Sequence, residues 1–162
     1  MANLVIAAIG LGSNLGDRAS HLNYAISRLR KLLDHLRASR FRDTVPVGAA
    51  GPQPLFLNAA VTGETAMPAR ELLDALLAIE DERGRERPYP NAPRSLDLDL
   101  ILFGDARIDE PGLIVPHPRF RERRFVLEPL VEIAPEMKDP VTGKTVRELH
   151  AGLSNEPKVP RD

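Results

Sequence analysis

The sequence predicts an α+β fold in which one antiparallel β-sheet carries two helices on the same face. Three observations favour it: apolar strands and helices follow in the order βαββαβ, both helices have a single apolar stripe, and no internal repeat divides the chain. This order is that of the ferredoxin-like arrangement, to which the chain adds a C-terminal strand and helices. We expect one domain over residues 1–153 and a loose polar tail over 154–162.

The first half of the chain begins with an apolar strand, predicted over residues 4–9. This run is too short to span a bilayer and has no basic residue before it, so we expect neither a membrane span nor a signal peptide. A tight glycine-containing turn leads into a helix over 17–36, where apolar residues recur every three or four positions: Leu22, Ile26, Leu29, Leu33 and Leu36. A weak pattern over 40–45 indicates a second strand, followed by a loop rich in Pro and Gly.

The third strand, predicted over residues 55–62, alternates between two faces. One face carries Leu57, Ala59 and Val61, and the other carries Phe56, Asn58 and Ala60. A helix over 68–83 follows, with Pro68 in its first turn and Gly84 at its end.

The last part of the chain contains the fourth strand, predicted over residues 95–103. A short strand over 113–115 and a helix over 124–133 come next. Thr145 and Glu148 have the spacing of a capping box, which predicts the start of a small terminal helix.

Composition excludes several classes of function. The formal net charge of -1 gives no overall field for nucleic acid or an anionic membrane, so we expect neither partner. Recognition of RNA on a sheet face needs exposed aromatics in a basic setting, whereas aromatics make up 4% of this chain. The absence of cysteine rules out disulfides and thiolate chemistry, and fits a cytoplasmic protein.

The strongest local signal is the segment Arg94-Ser95-Leu96-Asp97-Leu98-Asp99-Leu100. A strand places Asp97 and Asp99 on one face, with Cα atoms about 7 Å apart. The alternation alone favours a half-buried strand that shows its polar face to water. However, the same face is predicted to continue with Ile101 and Phe103, and two carboxylates in such surroundings repel each other unless a cation lies between them. Oxygen ligands without His or Cys suit Mg²⁺, so we expect a metal site.

Arginines surround this pair in the sequence: Arg83, Arg85, Arg87 and Arg94, with Arg121, Arg123 and Arg124 further along. A single surface arginine is commonly solvated. Several on one proline-bounded loop beside a metal site indicate a phosphate clamp instead, because guanidinium groups bind phosphate oxygens bidentately.

Two further features have a structural and a functional interpretation. In the structural interpretation, Phe56 and Asn58 simply lie on the surface. In the functional one, the ring stacks on a flat ligand while the amide binds that ligand's edge. His117, between two prolines, is more often structural or exposed in such a context, and we do not assign it as a general base. The glycine turn over 10–16 matches neither the P-loop nor the dinucleotide-binding pattern.

Together these motifs resemble the 6-hydroxymethyl-7,8-dihydropterin pyrophosphokinase family. The resemblance runs in order from about residue 4 to residue 152, and its most specific parts are R-S-L-D-L-D at 94–99 and P-H-P-R at 116–119. The other matching segments are G-S-N-L-G-D at 12–17, F-L-N-A-A at 56–60, I-E at 79–80, G-R at 84–85 and R-R-F-V-L at 123–127.

The resemblance implies a cytoplasmic, monomeric enzyme of ferredoxin-like fold that uses ATP and 6-hydroxymethyl-7,8-dihydropterin. It implies that Asp97 and Asp99 hold two Mg²⁺ ions and that Arg85 and Arg94 lie at the transferring diphosphate. The implied ATP subsite comprises Glu80, Arg87, Arg94, His117 and Arg123. The implied pterin subsite comprises Phe56 and Phe125 on the two ring faces, with Asn58 and the backbone near Thr44 and Val47 at its edges. Departures at Asn91, Gly112 and Pro118 affect the nucleotide side and leave the aspartate pair and pterin wall intact.

Overall fold

The computed structural model describes residues 3–44, 55–84 and 95–153. Within them, seven strands and four α-helices are formed, and the last two helices end the described part of the chain. The elements are β1 (Val5–Ser13), α1 (Arg18–Leu29), β2 (Asp34–Ala38), β3 (Arg42–Thr44), β4 (Phe56–Thr65), α2 (Ala69–Glu82), β5 (Asp97–Phe103), β6 (Ile108–Glu110), β7 (Leu113–Val115), a 3₁₀ turn (Phe120–Glu122), α3 (Arg124–Ile133) and α4 (Val146–Leu153).

The main sheet has the order β2-β4-β1-β5, and β3 also pairs with β4. All its pairings are antiparallel. β2 pairs with the second half of β4 and β3 with the first half, so these two short strands together occupy a single strand position. Counted in this way, the core is βαββαβ, and the predicted ferredoxin-like fold is confirmed.

The predicted extent of the first helix is wrong at its C-terminal end. The helix was expected over residues 17–36, whereas α1 ends at Leu29 and β2 begins at Asp34. Leu33 stays in the helix-side core after the helix has ended, and its Cβ lies 2.6 Å from where a Cβ on Gly63 of β4 would stand. The apolar spacing therefore continues past the helix, because the turn and β2 pack on the same core.

The sheet separates two hydrophobic cores. The helix-side core, under α1 and α2, contains the predicted inward residues Leu57, Ala59 and Val61, together with Leu96, Leu98 and Leu100. The second core lies under α3 and α4 and includes Ala60. The predicted alternation along β4 is confirmed.

A β-bulge changes the alternation along β5. Leu100 pairs with Ile9 and Leu102 pairs with Ala8, so Ile101 is one residue more than β1 can match. As a result Ile101 and Leu102 both enter the second core, and Phe103 enters the helix-side core. The expectation that Phe103 shares the face of the two aspartates is therefore wrong, while that for Ile101 is confirmed.

The C-terminal elements agree with the sequence pattern. The capping box is present: the Thr145 N–H donates to Glu148 Oε1 at 2.9 Å, and the Glu148 N–H donates to Thr145 Oγ1 at 3.1 Å. The strand β7 pairs with β6, which was not predicted. Across the described ranges, the helices all fall short of the length and apolar character that crossing a membrane requires.

Candidate active site

The two aspartates lie beside a strip of the central strand that has no side chains. Asp97 pairs with Gly12 and Asp99 with Gly10, so the residues opposite both carboxyl groups are glycines. Both aspartates are half-buried, and the leucines that alternate with them point into the helix-side core. The carboxyl groups therefore lie on the α3 side of the sheet, along one side of a trough with a glycine floor.

Phe56 and Asn58 line the other side of this trough. Gly12 pairs with Asn58 on β4. A Cβ added to Gly12 would lie 3.0 Å from Asn58 Oδ1 and 3.5 Å from Phe56 Cδ1, so both side chains lie close over that glycine. The predicted shared face is confirmed. Since only β1 separates β4 from β5, the amide-bearing and carboxylate-bearing strands lie about 10 Å apart.

The amide of Asn58 is fixed by Thr44. Asn58 is 7% exposed, and its Nδ2 donates a hydrogen bond to Thr44 Oγ1 on the neighbouring β3. Thr44 is buried as well and pairs with Phe56. With Nδ2 directed to β3, Oδ1 lies over Gly12, and the amide can bind a ligand edge through Oδ1 and its second N–H.

Three further predicted site residues, His117, Arg123 and Phe125, are linked to one another and to Asp97 by charge or ring contacts. The His117 N–H donates to the Ile101 carbonyl at 3.0 Å, which holds the loop against β5. Burial chiefly, and then the charge of Arg123, lower the pKa of His117, whereas Asp97 acts to raise it. The lowered pKa favours the neutral form of the ring at pH 7. Arg123 in turn lies over the Phe125 ring, 5.5 Å from its centroid.

The Glu80 carboxylate lies at the outer edge of β5. It is 2% exposed, and its Oε2 accepts a hydrogen bond of 2.7 Å from the Leu98 N–H, between the two aspartates. Its role in the ATP subsite stays a prediction.

The predicted arginine groups divide between the site and the scaffold. Arg83 packs on α1, where its Nε donates to His21 Nδ1 at 2.9 Å. Arg121 is paired with the buried Asp139, and Arg124 donates to the Leu153 carbonyl. Of the downstream three, Arg123 is the one whose charge acts on His117. Four predicted site residues lie outside the described residues, as does Asn91: Arg85, Arg87, Arg94 and Val47.

The donor set fits magnesium. Within the parts of the chain that the structure describes, no three His, Asp or Glu side chains form a group that could hold a metal ion. Asp97 and Asp99 together present two carboxyl groups, whose donors are all oxygen atoms. Mg²⁺ commonly binds in this way and takes its other ligands from water and substrate phosphates.

Sequence reasoning missed the part that the glycines play. It attributed Gly10 and Gly12 to a tight turn, whereas both lie within β1. The available signal was their spacing, because glycines at i and i+2 of a strand open one face to the close approach of another group.

The comparisons with known proteins agree on one family. A family model described as 7,8-dihydro-6-hydroxymethylpterin-pyrophosphokinase matches residues 8–135. The 2-amino-4-hydroxy-6-hydroxymethyldihydropteridine pyrophosphokinase of Synechocystis sp. is 42% identical over 144 residues, which are 88% of this chain and 73% of that protein. The protein of the same name from Methylorubrum extorquens is 40% identical over 149 residues, which are 91% and 92% of the two chains.

Solved structures support the fold. Wild-type Plasmodium falciparum HPPK-DHPS superimposes with a TM-score of 0.70 at 16% identity, covering 93% of this chain and 45% of that one. An HPPK-DHPS in complex with substrates gives a TM-score of 0.73 at 15% identity, covering 93% and 43%. The chain thus spans less than half the length of these proteins. From the family model and the relatives of similar length, the chain belongs to the 7,8-dihydro-6-hydroxymethylpterin-pyrophosphokinase family.

Proposed function

We propose that this chain transfers a diphosphoryl group from ATP to 6-hydroxymethyl-7,8-dihydropterin, giving AMP and the pterin diphosphate in folate biosynthesis. The family supports this reaction. The observation that carries it is the trough itself. A carboxylate pair on β5 faces an amide and a phenyl ring on β4 across glycines, so a phosphate-binding site adjoins a pocket for a flat heterocycle.

On this proposal the chain requires magnesium. Asp97 and Asp99 would hold two Mg²⁺ ions, which when bound supply charge neutralisation at the ATP phosphates. Two half-buried carboxylates on one face also repel each other in the absence of a cation, so the pair favours a divalent ion beyond simple charge attraction.

The pterin would occupy the β4 side of the trough. Phe56 and Phe125 provide the faces for stacking, and the Asn58 amide binds an edge of the ring system together with the backbone near Thr44 and Val47. Because Thr44 already fixes the amide, little rotamer freedom is lost when the ligand binds.

The nucleotide would lie toward His117 and Arg123. A neutral His117 can donate or accept a hydrogen bond without adding charge, whereas Arg123 offers a guanidinium group to phosphate. We assign Arg85 and Arg94 to the transferring diphosphate and Arg87 to the ATP subsite, on the resemblance alone.

The reaction is an in-line displacement at phosphorus. The hydroxymethyl oxygen forms a bond to the β-phosphorus, the bond from that phosphorus to the oxygen bridging to the α-phosphate breaks, and AMP leaves with this oxygen. The hydroxyl proton passes to solvent. Such transfer depends mainly on positioning and electrostatics, which explains why the chain needs no dedicated general base.

Product analysis tests the function. The protein is incubated with ATP, MgCl₂ and the hydroxymethyl-dihydropterin, and the nucleotide product is identified with and without the pterin. Pterin-dependent AMP is the expected result, and EDTA should abolish it. Formation of ADP would mean transfer of the γ-phosphoryl group and would overturn the proposal. Binding of pterin without turnover would instead favour a ligand-sensing domain. The expected monomer in the cytoplasm remains a prediction.

A further inference from the structure

The buried carboxylate of Glu80 forms its hydrogen bond to β5 at the residue between the two aspartates. We propose that Glu80 is a positioning residue for the metal site: by holding the Leu98 amide, it fixes the segment of β5 that carries Asp97 and Asp99 and so sets their affinity for metal-bound nucleotide. This inference rests on the proposed function and adds a residue that acts through the backbone.

The position of β5 in the sheet explains why such a contact matters. β5 is the last strand of the order β2-β4-β1-β5, so β1 supports it from one side. In an antiparallel pair, successive N–H groups point to opposite sides of the strand. Since the Leu98 N–H points outward to Glu80, those of Asp97 and Asp99 point inward to β1. Glu80 therefore supplies the outer support for a segment that β1 holds from the inner side.

Glu80 is itself held in place by the end of α2. Two residues later, Glu82 accepts hydrogen bonds of 2.9 and 2.8 Å from Nε and Nη2 of Arg28 on α1. Arg83 then donates to His21, also on α1. Ile79, next to Glu80, is buried in the helix-side core. The end of α2 that carries the Glu80 carboxylate is thus hydrogen-bonded to α1 through both Glu82 and Arg83.

A carboxylate is better suited to this contact than a neutral amide would be. Oε2 accepts the Leu98 N–H at 2.7 Å, and an ionised acceptor makes such a bond stronger than a neutral acceptor does. Glu80 does not join the aspartates as a third ligand, since the described residues contain no three-carboxylate group suited to a metal. Residues that orient metal ligands typically change the metal affinity by about 10–100-fold.

The positioning role differs from direct contact with the nucleotide, which the family resemblance implies for this residue. A side chain that is 2% exposed offers a nucleotide almost no surface. AMP separates the two roles, because it lacks two of the three phosphates whose charge bound magnesium would neutralise. Direct contact with the nucleoside predicts that Glu80 variants lose AMP affinity, whereas positioning predicts that they lose affinity only for the metal-bound triphosphate.

The experiment compares Glu80→Ala and Glu80→Gln with Glu71→Ala, which removes an exposed glutamate from the same helix. Amide hydrogen exchange is measured on the free protein, followed by binding of α,β-methylene-ATP over a magnesium titration and binding of AMP. For Glu80→Ala we expect exchange at Leu98 to accelerate about tenfold or more, the magnesium half-saturation to rise about tenfold, and AMP affinity to change less than twofold. Glu71→Ala should match the wild type.

Two results would overturn the positioning role. One is a loss of AMP affinity equal to the loss for the triphosphate, which would mean direct contact. The other is a magnesium half-saturation that stays at the wild-type value although Leu98 exchanges faster, which would mean that Glu80 only covers the sheet edge. If Glu80→Ala does not fold, Glu80→Gln answers the same question at smaller amplitude. None of these measurements needs turnover, so failure of the proposed reaction would appear separately, as a wild-type protein that forms no AMP.

Discussion

The two faces of the main sheet differ in what their side chains do. On the face under α1 and α2, the buried strand residues are mainly Leu, Ile, Val and Ala. The opposite face is divided: one part packs under α3 and α4, and the other carries Asp97, Asp99, Asn58 and Phe56 around two glycines. Because the period of a strand is two, β4 and β5 each serve both faces. Alternate residues of the same strands therefore form the stabilising core on one face and the candidate site on the other.

The largest effect should come from removing one of the two carboxylates. Asp97→Ala should lower turnover by about 10³-fold or more, equivalent to roughly 4 kcal/mol in the barrier, because it removes a metal ligand. The leucines on the other face of β5 are untouched, so the unfolding free energy should change little. Stopped assays at saturating Mg²⁺, with thermal unfolding alongside, measure both effects. Near-normal turnover would contradict the metal assignment, and Asp109→Ala on the exposed β6 is the control.

The fold could be predicted from the sequence because its signals are local. The strands over residues 56–61 and 96–100 are indicated by their own alternation of residue types. The start of the last helix is indicated by the capping box at Thr145. Neither signal depends on residues distant in the chain. Two of the errors have a nonlocal origin. The end of α1 was set by the pairing of β2 with β4, and the inward turn of Phe103 by a bulge against β1.

The sequence indicates side chains of the candidate site, but it does not predict the contacts among them. The sequence identifies Asp97, Asp99 and Asn58 as a pair of carboxylates and an amide on polar faces. Their alignment across Gly12 depends on the register of three strands, which the sequence does not state. The contacts of Glu80 with Leu98 and of Thr44 with Asn58 are likewise formed between elements distant in the chain.

A substitution of Asp139 tests whether an ionic group outside the trough contributes to the unfolding free energy without affecting turnover. It is fully buried and accepts hydrogen bonds from Arg121, Thr142 and the Val141 N–H. Asp139→Asn should lower the unfolding free energy by about 3 kcal/mol, since it breaks a buried pair. Turnover per folded molecule should stay at the wild-type value, and a fall in turnover without loss of stability would contradict this division.

The same residue predicts a dependence on pH. Burial alone would raise the pKa of Asp139, but the hydrogen bonds, above all from Arg121, lower it to about 2. The folded-state pKa is thus below that of the unfolded chain, near 3.8. The stabilisation is complete above the unfolded value and is lost as the pH falls toward about 2. Urea unfolding of wild type and Asp139→Asn should therefore show a difference that shrinks between pH 5 and pH 2.

Gly12→Ala tests the glycine floor. The new Cβ would stand 3.0 Å from Asn58 Oδ1, which is tighter than an ordinary contact, so the amide must move by a few tenths of an ångström. We expect pterin affinity to fall about tenfold, within the roughly 1–3 kcal/mol typical of overpacking. Gly10→Ala is a matched control, because its Cβ would meet only Ile101, at an ordinary 3.5 Å. Equal losses in the two variants would contradict a specific role for Gly12.

The smallest effect should come from Thr44, which orients an amide without being expected to bind the ligand through its hydroxyl. Thr44→Val keeps the shape and removes the acceptor of the Asn58 Nδ2 hydrogen bond, so the amide loses its fixed orientation. KM for the pterin should rise about fivefold, on the order of 1 kcal/mol, with kcat and the KM for ATP nearly unchanged. Thr44→Ser retains the hydroxyl and should restore most of the pterin KM. If the serine variant is as impaired as the valine variant, the methyl group matters rather than the hydrogen bond. If the KM for the pterin and the KM for ATP rise together, Thr44 supports the strand and not the orientation of Asn58.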